Sequence, residues 1–425
     1  MIAWLLISFF VLLFLGVPIA MSLGLSAMGG ILFLGGGSTV TIAQRMFEGM
    51  NSFALLAIPL YTFAGFTMSK GGISKRLMDF CYSIVGHIYG GLAHVNVLSS
   101  MIFAGISGSA VADTAGVSGM FMPEMVRKGS SKNFTVAVTA ISSTIGIIIP
   151  PSIPMVVIAG ICGISTGKLF LGGIIPGVLC GLAQMIVSYF MAKKEGVPKE
   201  PGHFTIGPVL HGLWESWPAL LMPIIIVGTI TMGIVSPTEA GVIAVVYGLF
   251  AGGIIYRELK WEDIKFAFAE TVRTSGRIFI VIGAAKLYTV MLTTAGFDKW
   301  VAKTMLGFST NPTVILIVIL LIFFIVTMFM ESIATLTLFM PILYPIALGV
   351  GINPIVLSVL ITVVIGVGLV TPPVGMCIYV ACDLMDVTVG EVFPTLVPFI
   401  AATFVCIALM VAFPQLILLP TYLMA

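Results

Sequence analysis

Apolar runs long enough to fill a bilayer recur along the whole chain, and the polar positions between them fall in short clusters. Residues 220–233, 314–330 and 396–413 contain no charged residue at all. Such runs predict a polytopic, all-α membrane protein. Spans are expected near 1–16, 18–36, 52–70, 133–164 and 169–192, then near 217–235, 237–256, 275–295, 353–382 and 392–418. Segments 38–50, 74–88 and 260–274 are polar enough to lie along the interface as arms. The apolar stretches about 92–126 and 312–346 are each interrupted by an acid among small or hydroxyl residues. They read as re-entrant hairpins.

The polar interruptions repeat. Asp113 stands before Met122-Pro123 and Pro150-Pro151; Glu331 stands before Met340-Pro341 and Pro372-Pro373. Lesser echoes accompany them: Leu60-Tyr61-Thr62 with Leu287-Tyr288-Thr289, and Gly167-Lys-Leu-Phe170 with Gly390-Glu-Val-Phe393. Residues 1–192 and 217–425 therefore read as two copies joined by a cytoplasmic linker, 193–216. Each copy would hold five crossings, one hairpin and one Pro-Pro-broken helix (about 133–164 and about 353–382).

Composition and charge narrow this further. The chain has 425 residues, 59% hydrophobic and 8% charged, against roughly 25% charged in soluble domains. With five crossings per copy, 14 of the 19 Lys and Arg fall on one side, including Lys70, Arg127, Lys193 and the run from Arg257 to Arg277. By the positive-inside rule that side is cytoplasmic. An odd number of crossings makes the repeat inverted and puts the N-terminus in the periplasm. The apolar start, without a basic leader or cleavage site, reads as a retained first helix. A net charge of +2 and the lack of a basic, aromatic-interleaved cluster give no sign of nucleic-acid binding. The six cysteines have neither metal-ligand nor disulfide-framework spacing.

The chemistry lies at the interruptions. Non-helical backbone at membrane depth persists only where protein buries it or it lines an aqueous cavity. At the first tip, Ser107, Gly108 and Ser109 offer open carbonyls and hydroxyls, an all-oxygen set suited to a hard cation such as sodium. The restarting helix offers N–H groups and a positive dipole end to an anion. The second tip repeats this with Glu331, Ser332 and Thr335. Proline frees carbonyls on the preceding turn, so the two Pro-Pro helices complete cation sites, with Thr371 adding a hydroxyl. Paired broken helices point to a transporter's binding site. Asp113 and Glu331 either contact the ligand or only cap the tips. Glu239 is expected to cap a helix, and Lys286, inside a span, is left without a substrate role. No arginine sits inside either tip.

The runs Ser107-Gly-Ser-Ala-Val-Ala-Asp-Thr-Ala, Ile-Pro-Pro-Ser-Ile-Pro154, Pro-Thr-Glu-Ala-Gly241 and Val-Thr-Pro-Pro-Val-Gly375 together resemble the large membrane subunit of tripartite ATP-independent periplasmic (TRAP) transporters. The resemblance covers essentially the whole chain. It implies a non-enzymatic, sodium-coupled elevator in the bacterial inner membrane, with a scaffold and a mobile transport domain and no cofactor beyond the coupling ion. Its partners would be a separate small membrane subunit of about four helices and a periplasmic substrate-binding protein. The solute would be an organic anion, such as a C4-dicarboxylate or sialic acid. Carried over, sodium site one would use Ser107, Gly108, Ser109, Gly146, Ile149 and Pro151. Site two would use Met328, Glu331, Ser332, Gly366, Gly368 and Thr371. Substrate would lie near Asp113, Thr114, Ser152, Ser332 and Thr335. Three other readings compete: a stand-alone sodium-coupled carboxylate transporter, a passive channel, and an intramembrane aspartyl protease. The last would need paired aspartates where this chain has Asp113 and Glu331.

Overall fold

The computed structural model describes residues 1–34, 38–199 and 205–424, and among them it is helical throughout, without a strand. The remainder of the expected span 18–36 and part of the expected linker fall outside the described residues. Among the described residues, seven helices are long and apolar enough to cross a bilayer: Phe53–Lys70, Thr166–Glu195, Ile206–Thr231, Pro237–Ile255, Trp261–Thr294, Ser332–Gly349 and Val389–Ala412. The apolar helices Ile2–Phe14, Gly91–Ser107, Pro312–Thr327 and Pro354–Gly368 are shorter. At 1.5 Å per residue, thirteen residues from Ile2 to Phe14 reach only about 20 Å. Large apolar side chains such as Phe14, Phe33 and Phe308 are exposed, as a lipid-facing surface requires.

The two parts of the chain interlock. Helix Ala57–Lys70 packs along Pro237–Phe250, while Trp261–Thr294 packs along Ile19–Leu34 and Thr39–Met50. A buried tyrosine pins each crossing. Tyr61 Oη donates to Pro237 O at 2.8 Å, and Tyr288 Oη donates to Leu5 O at 2.9 Å. Both rings are 1% exposed, so each hydroxyl would be costly to leave unpaired. The echoed tyrosines thus have the same duty, each holding its helix against the other part of the chain.

At the centre lie the broken helices. Lys132–Ser143 runs through a 3-10 turn, Thr144–Ile147, stops at Pro150-Pro151 and restarts as Ile153–Cys162. Pro354–Gly368 stops before Pro372-Pro373 and restarts as Met376–Asp383. Both Pro-Pro bonds are cis. Every residue from Val356 to Gly368 is buried. Side-chain acceptors start the helices: Ser131 Oγ accepts from Phe134 N (3.1 Å), and Asn353 Oδ1 accepts from Ile355 N (2.9 Å). Glu239 and Ser236 form a capping box, which satisfies two end N–H groups of that helix.

Three elements depart from the sequence reading. The arm 260–274 and the span 275–295 are one 34-residue helix, Trp261–Thr294, because no proline interrupts it. Thr166–Glu195 and Ile206–Thr231 both extend into the expected linker. On the second of these helices Gly212 lies against Phe80 and Ser216 Oγ donates to Arg76 O (2.8 Å). A helix at Phe297–Phe308, with Phe297 stacked on Trp300, was not anticipated.

Candidate functional site

Each hairpin tip rests on the break of its own Pro-Pro helix. Helix Gly91–Ser107 ends at Gly108, whose φ of +64° reverses the chain. Ser109 Oγ then caps the outgoing helix by accepting from Ala112 N (3.4 Å). Gly108 O accepts from Ile153 N, just past the break, at 3.3 Å. A Cβ on Gly108 would stand 2.6 Å from Pro151 O, and one on Gly146 would stand 3.5 Å from Ser109 O. Gly108, Ser109, Gly146 and Pro151 are therefore brought together. Ser107 lies beside them, its Oγ 3.5 Å from Ser109 N. The Ile149 side chain packs toward Gly177 on Thr166–Glu195.

The second tip repeats the seat. Met328 O accepts from Val374 N, just past Pro373, at 2.9 Å. Gly368 lies directly on the hairpin, where a Cβ would come 2.7 Å from Thr327 Cβ. Gly366 instead faces Thr144, so the two broken helices cross there. Thr371 Oγ1 donates to Val367 O (2.7 Å), leaving its oxygen lone pairs open. Glu331 caps the outgoing helix: Oε2 accepts from Ile333 N (2.9 Å) and Ala334 N (3.3 Å), and Oε1 accepts from Ser332 Oγ (2.8 Å).

Hydroxyls stitch the first hairpin to its broken helix. Asn96 Nδ2 donates to Thr139 Oγ1 (2.9 Å), Ser142 Oγ to Asn96 Oδ1 (3.3 Å), and Thr114 Oγ1 to Ser143 Oγ (2.6 Å). Asp113 and Thr114 are 0% exposed and neighbour Cys377 on the other broken helix. Asp113 is not the helix cap; Ser109 holds that position.

A cavity of about 260 Å³ opens between the tips. Four helix starts line it: Ala110 and Val111, Ile153 and Pro154, Ser332 to Ala334, and Met376. Each presents the positive end of a helix dipole, although several end N–H groups are already taken, Ile153 N by Gly108 O and Ile333 N and Ala334 N by Glu331 Oε2. Gly108, Ser109 and Glu331 also reach it, while Asp113, Thr114, Ser152 and Thr335 do not. Ser152 is buried, its hydroxyl donating to Ile147 O and capping Met155 N (3.3 Å). Thr335 Oγ1 donates to Glu331 O (3.1 Å). Trp261–Thr294 closes the cavity with Thr274, Arg277, Ile278 and Val281. Arg277 is the basic residue absent from the tips. Its place in a basic cluster hid it, because a sequence cannot say which of several clustered charges turns toward a cavity.

Farther along the same helix is a cavity of about 490 Å³, reached by Lys286, Glu48, Asn51 and Thr337. Glu48 is ion-paired with Arg45 at 2.7 Å. The Arg45 hydrogen bond and then the Lys286 charge hold its carboxyl below the usual carboxylate range.

Two hairpin tips seated on two broken helices around one cavity are the arrangement of a membrane transport protein. Residues 6–416 match the DctM component of the tripartite ATP-independent periplasmic transporters, and the chain belongs to that family. It is 36% identical over 393 residues to the isethionate TRAP transporter permease protein DctMQ of Oleidesulfovibrio alaskensis, covering 92% of this chain and 62% of that one. It is 35% identical over 408 residues to the sialic acid TRAP transporter large permease protein SiaM of Vibrio cholerae, covering 96% and 95%. The fold is similar to that of the Alcanivorax borkumensis YdaH transporter, with a TM-score of 0.59 at 13% identity over 89% and 88% of the two chains. Its relatives are transporter permeases, not enzymes.

Proposed function

We propose that this chain is the large subunit of a sodium-coupled importer of a small organic anion, such as a C4-dicarboxylate or sialic acid. A separate small membrane subunit would brace it, and a periplasmic binding protein would deliver the solute. The observation that carries the anion is the meeting of four helix starts and Arg277 around one cavity. Helix starts favour negative charge, and the guanidinium gives a planar, bidentate partner for a carboxylate.

Sodium coupling rests on the seats. In this reading the oxygens of Ser109 and Pro151, which lie beside Gly146 and Gly108, would serve the first ion, and those of Met328, Gly368 and Thr371 the second. These are hard oxygen donors. Glu331 caps its helix beside the second seat. In the elevator reading, residues 1–192 and 217–425 are inverted copies whose hairpins and broken helices move as one body against Ala57–Lys70 and Trp261–Thr294. The chain sits in the inner membrane with its N-terminus periplasmic.

The test is uptake into proteoliposomes holding both membrane subunits, with the binding protein supplied and the sodium gradient imposed or collapsed. Uptake is expected only with the gradient and the binding protein present. Equal uptake without a gradient removes the coupling. Full uptake by this chain alone, with no binding protein, replaces the tripartite reading with a stand-alone transporter.

A further inference from the structure

The larger cavity has no part in the function proposed above. Its principal charge is Lys286, the basic residue that lies well inside the span. The lysine stem is held closely: a Cβ on Gly49 would stand 2.6 Å from Lys286 Cβ, so only a glycine lets Thr39–Met50 approach so near. Asn51, Ser52, Thr289 and Thr337 also line the cavity. Thr289 is 4% exposed and its hydroxyl has no hydrogen-bond partner. A buried hydroxyl left unpaired costs about 1–3 kcal/mol, and a ligand in this cavity would restore the missing bond. Glu48, the acid that faces the cavity, is ion-paired with Arg45 and feels the Lys286 charge without a direct ion pair to it, so Lys286 keeps its N–H donors for an anion.

The two cavities share walls. Helix Ser332–Gly349 lines the tip cavity with Ser332 to Ala334 and the larger one with Thr337 and Pro341. Ile153–Cys162 does the same with Ile153 and Pro154, then Val157 and Gly160. Along Trp261–Thr294, Lys286 is nine residues beyond Arg277, about 13 Å of helix rise.

We propose that the larger cavity is a second organic-anion subsite, in which Lys286 and the hydroxyls around it hold the solute's carboxylate or sulfonate before it reaches the tips. This rests on the tip cavity being the transport site. Charge placement puts Arg277 toward the cytoplasmic end of the helix, so Lys286 serves the periplasmic approach.

The experiment uses both membrane subunits in proteoliposomes with the binding protein supplied, and succinate, N-acetylneuraminate and isethionate as probes. For the transported probe, Lys286→Gln is expected to raise KM about tenfold with kcat within twofold, the pattern of lost binding made before the rate-limiting step. Lys286→Arg should keep KM within threefold. Arg277→Gln, at the tips, should lower kcat/KM at least tenfold. An unchanged KM in Lys286→Gln beside an impaired Arg277→Gln overturns the subsite and leaves the tip reading standing. A harmless Arg277→Gln, or no transport of any probe, overturns the tip reading and the subsite with it. Should Lys286→Gln fail to assemble, Thr289→Val must raise KM two- to threefold, and an unchanged value there overturns the subsite.

Discussion

Gly146 and Gly368 occupy matching positions, each four residues before a Pro-Pro, yet the structure separates them. A methyl group added at Gly146 meets Ser109 O at 3.5 Å, an ordinary contact. Added at Gly368, it meets Thr327 Cβ at 2.7 Å, Thr327 Cγ2 at 3.0 Å and Phe324 O at 3.4 Å. Carbon atoms prefer about 3.5–4.0 Å, so the second hairpin would have to retreat by most of an ångström. Overpacking of this kind costs about 1–3 kcal/mol. Replacing glycine with alanine inside a helix returns up to about 1 kcal/mol. The net cost for Gly368→Ala is therefore about 1–2 kcal/mol, against about 0.5 kcal/mol in either direction for Gly146→Ala. On a scale of about 2–4 °C per kcal/mol, Gly368→Ala should lower the Tm in detergent by roughly 2–8 °C, and Gly146→Ala should leave it near that of the parent. The retreat would also stretch the 2.9 Å bond from Val374 N to Met328 O. Half-maximal uptake in Gly368→Ala should therefore need more sodium. Equal Tm values and equal sodium dependence in the two variants would refute the close seating of the second hairpin on its broken helix.

Other substitutions test the remaining parts of the site. Ser109→Ala removes a cap worth about 1 kcal/mol and a hydroxyl from the first seat. Both it and Thr371→Val should raise the sodium concentration for half-maximal uptake, and unchanged sodium curves in both would remove these hydroxyls from the ion sites. Glu331→Ala strands the N–H groups of Ile333 and Ala334 and should cost about 1–3 kcal/mol, whereas Glu331→Gln keeps one acceptor and should lose about half as much. Equal thermal stability of the two would deny the carboxylate its capping role. Tyr61→Phe and Tyr288→Phe each remove one bond between the interlocked parts and should cost about 1 kcal/mol. Their losses should add in the double variant, because distant sites without shared partners behave independently; clear non-additivity in thermal unfolding would contradict this.

The sequence by itself determined the class of protein and the places where its regularity fails. Apolar runs fixed the membrane, and proline, glycine and acid interruptions marked both hairpin tips and both broken helices, because local steric and hydrogen-bonding rules act over a few residues. That each tip faces a broken helix was legible for the same reason, while the grouping of Ser107, Gly108 and Ser109 with Gly146 and Pro151 came from the family resemblance. Tertiary structure decided which polar groups face space. Asp113, Thr114, Ser152 and Thr335 carry the right chemistry for a ligand, but their hydroxyls or burial commit them to the packing of the hairpins and breaks. Arg277 was hidden in a charge cluster and Lys286 stood out in its span without a role, and only the path of Trp261–Thr294 past the hairpins brings them to the two cavities. The repeated motif therefore located the site, while the direction each side chain takes from its helix decided which residues line it.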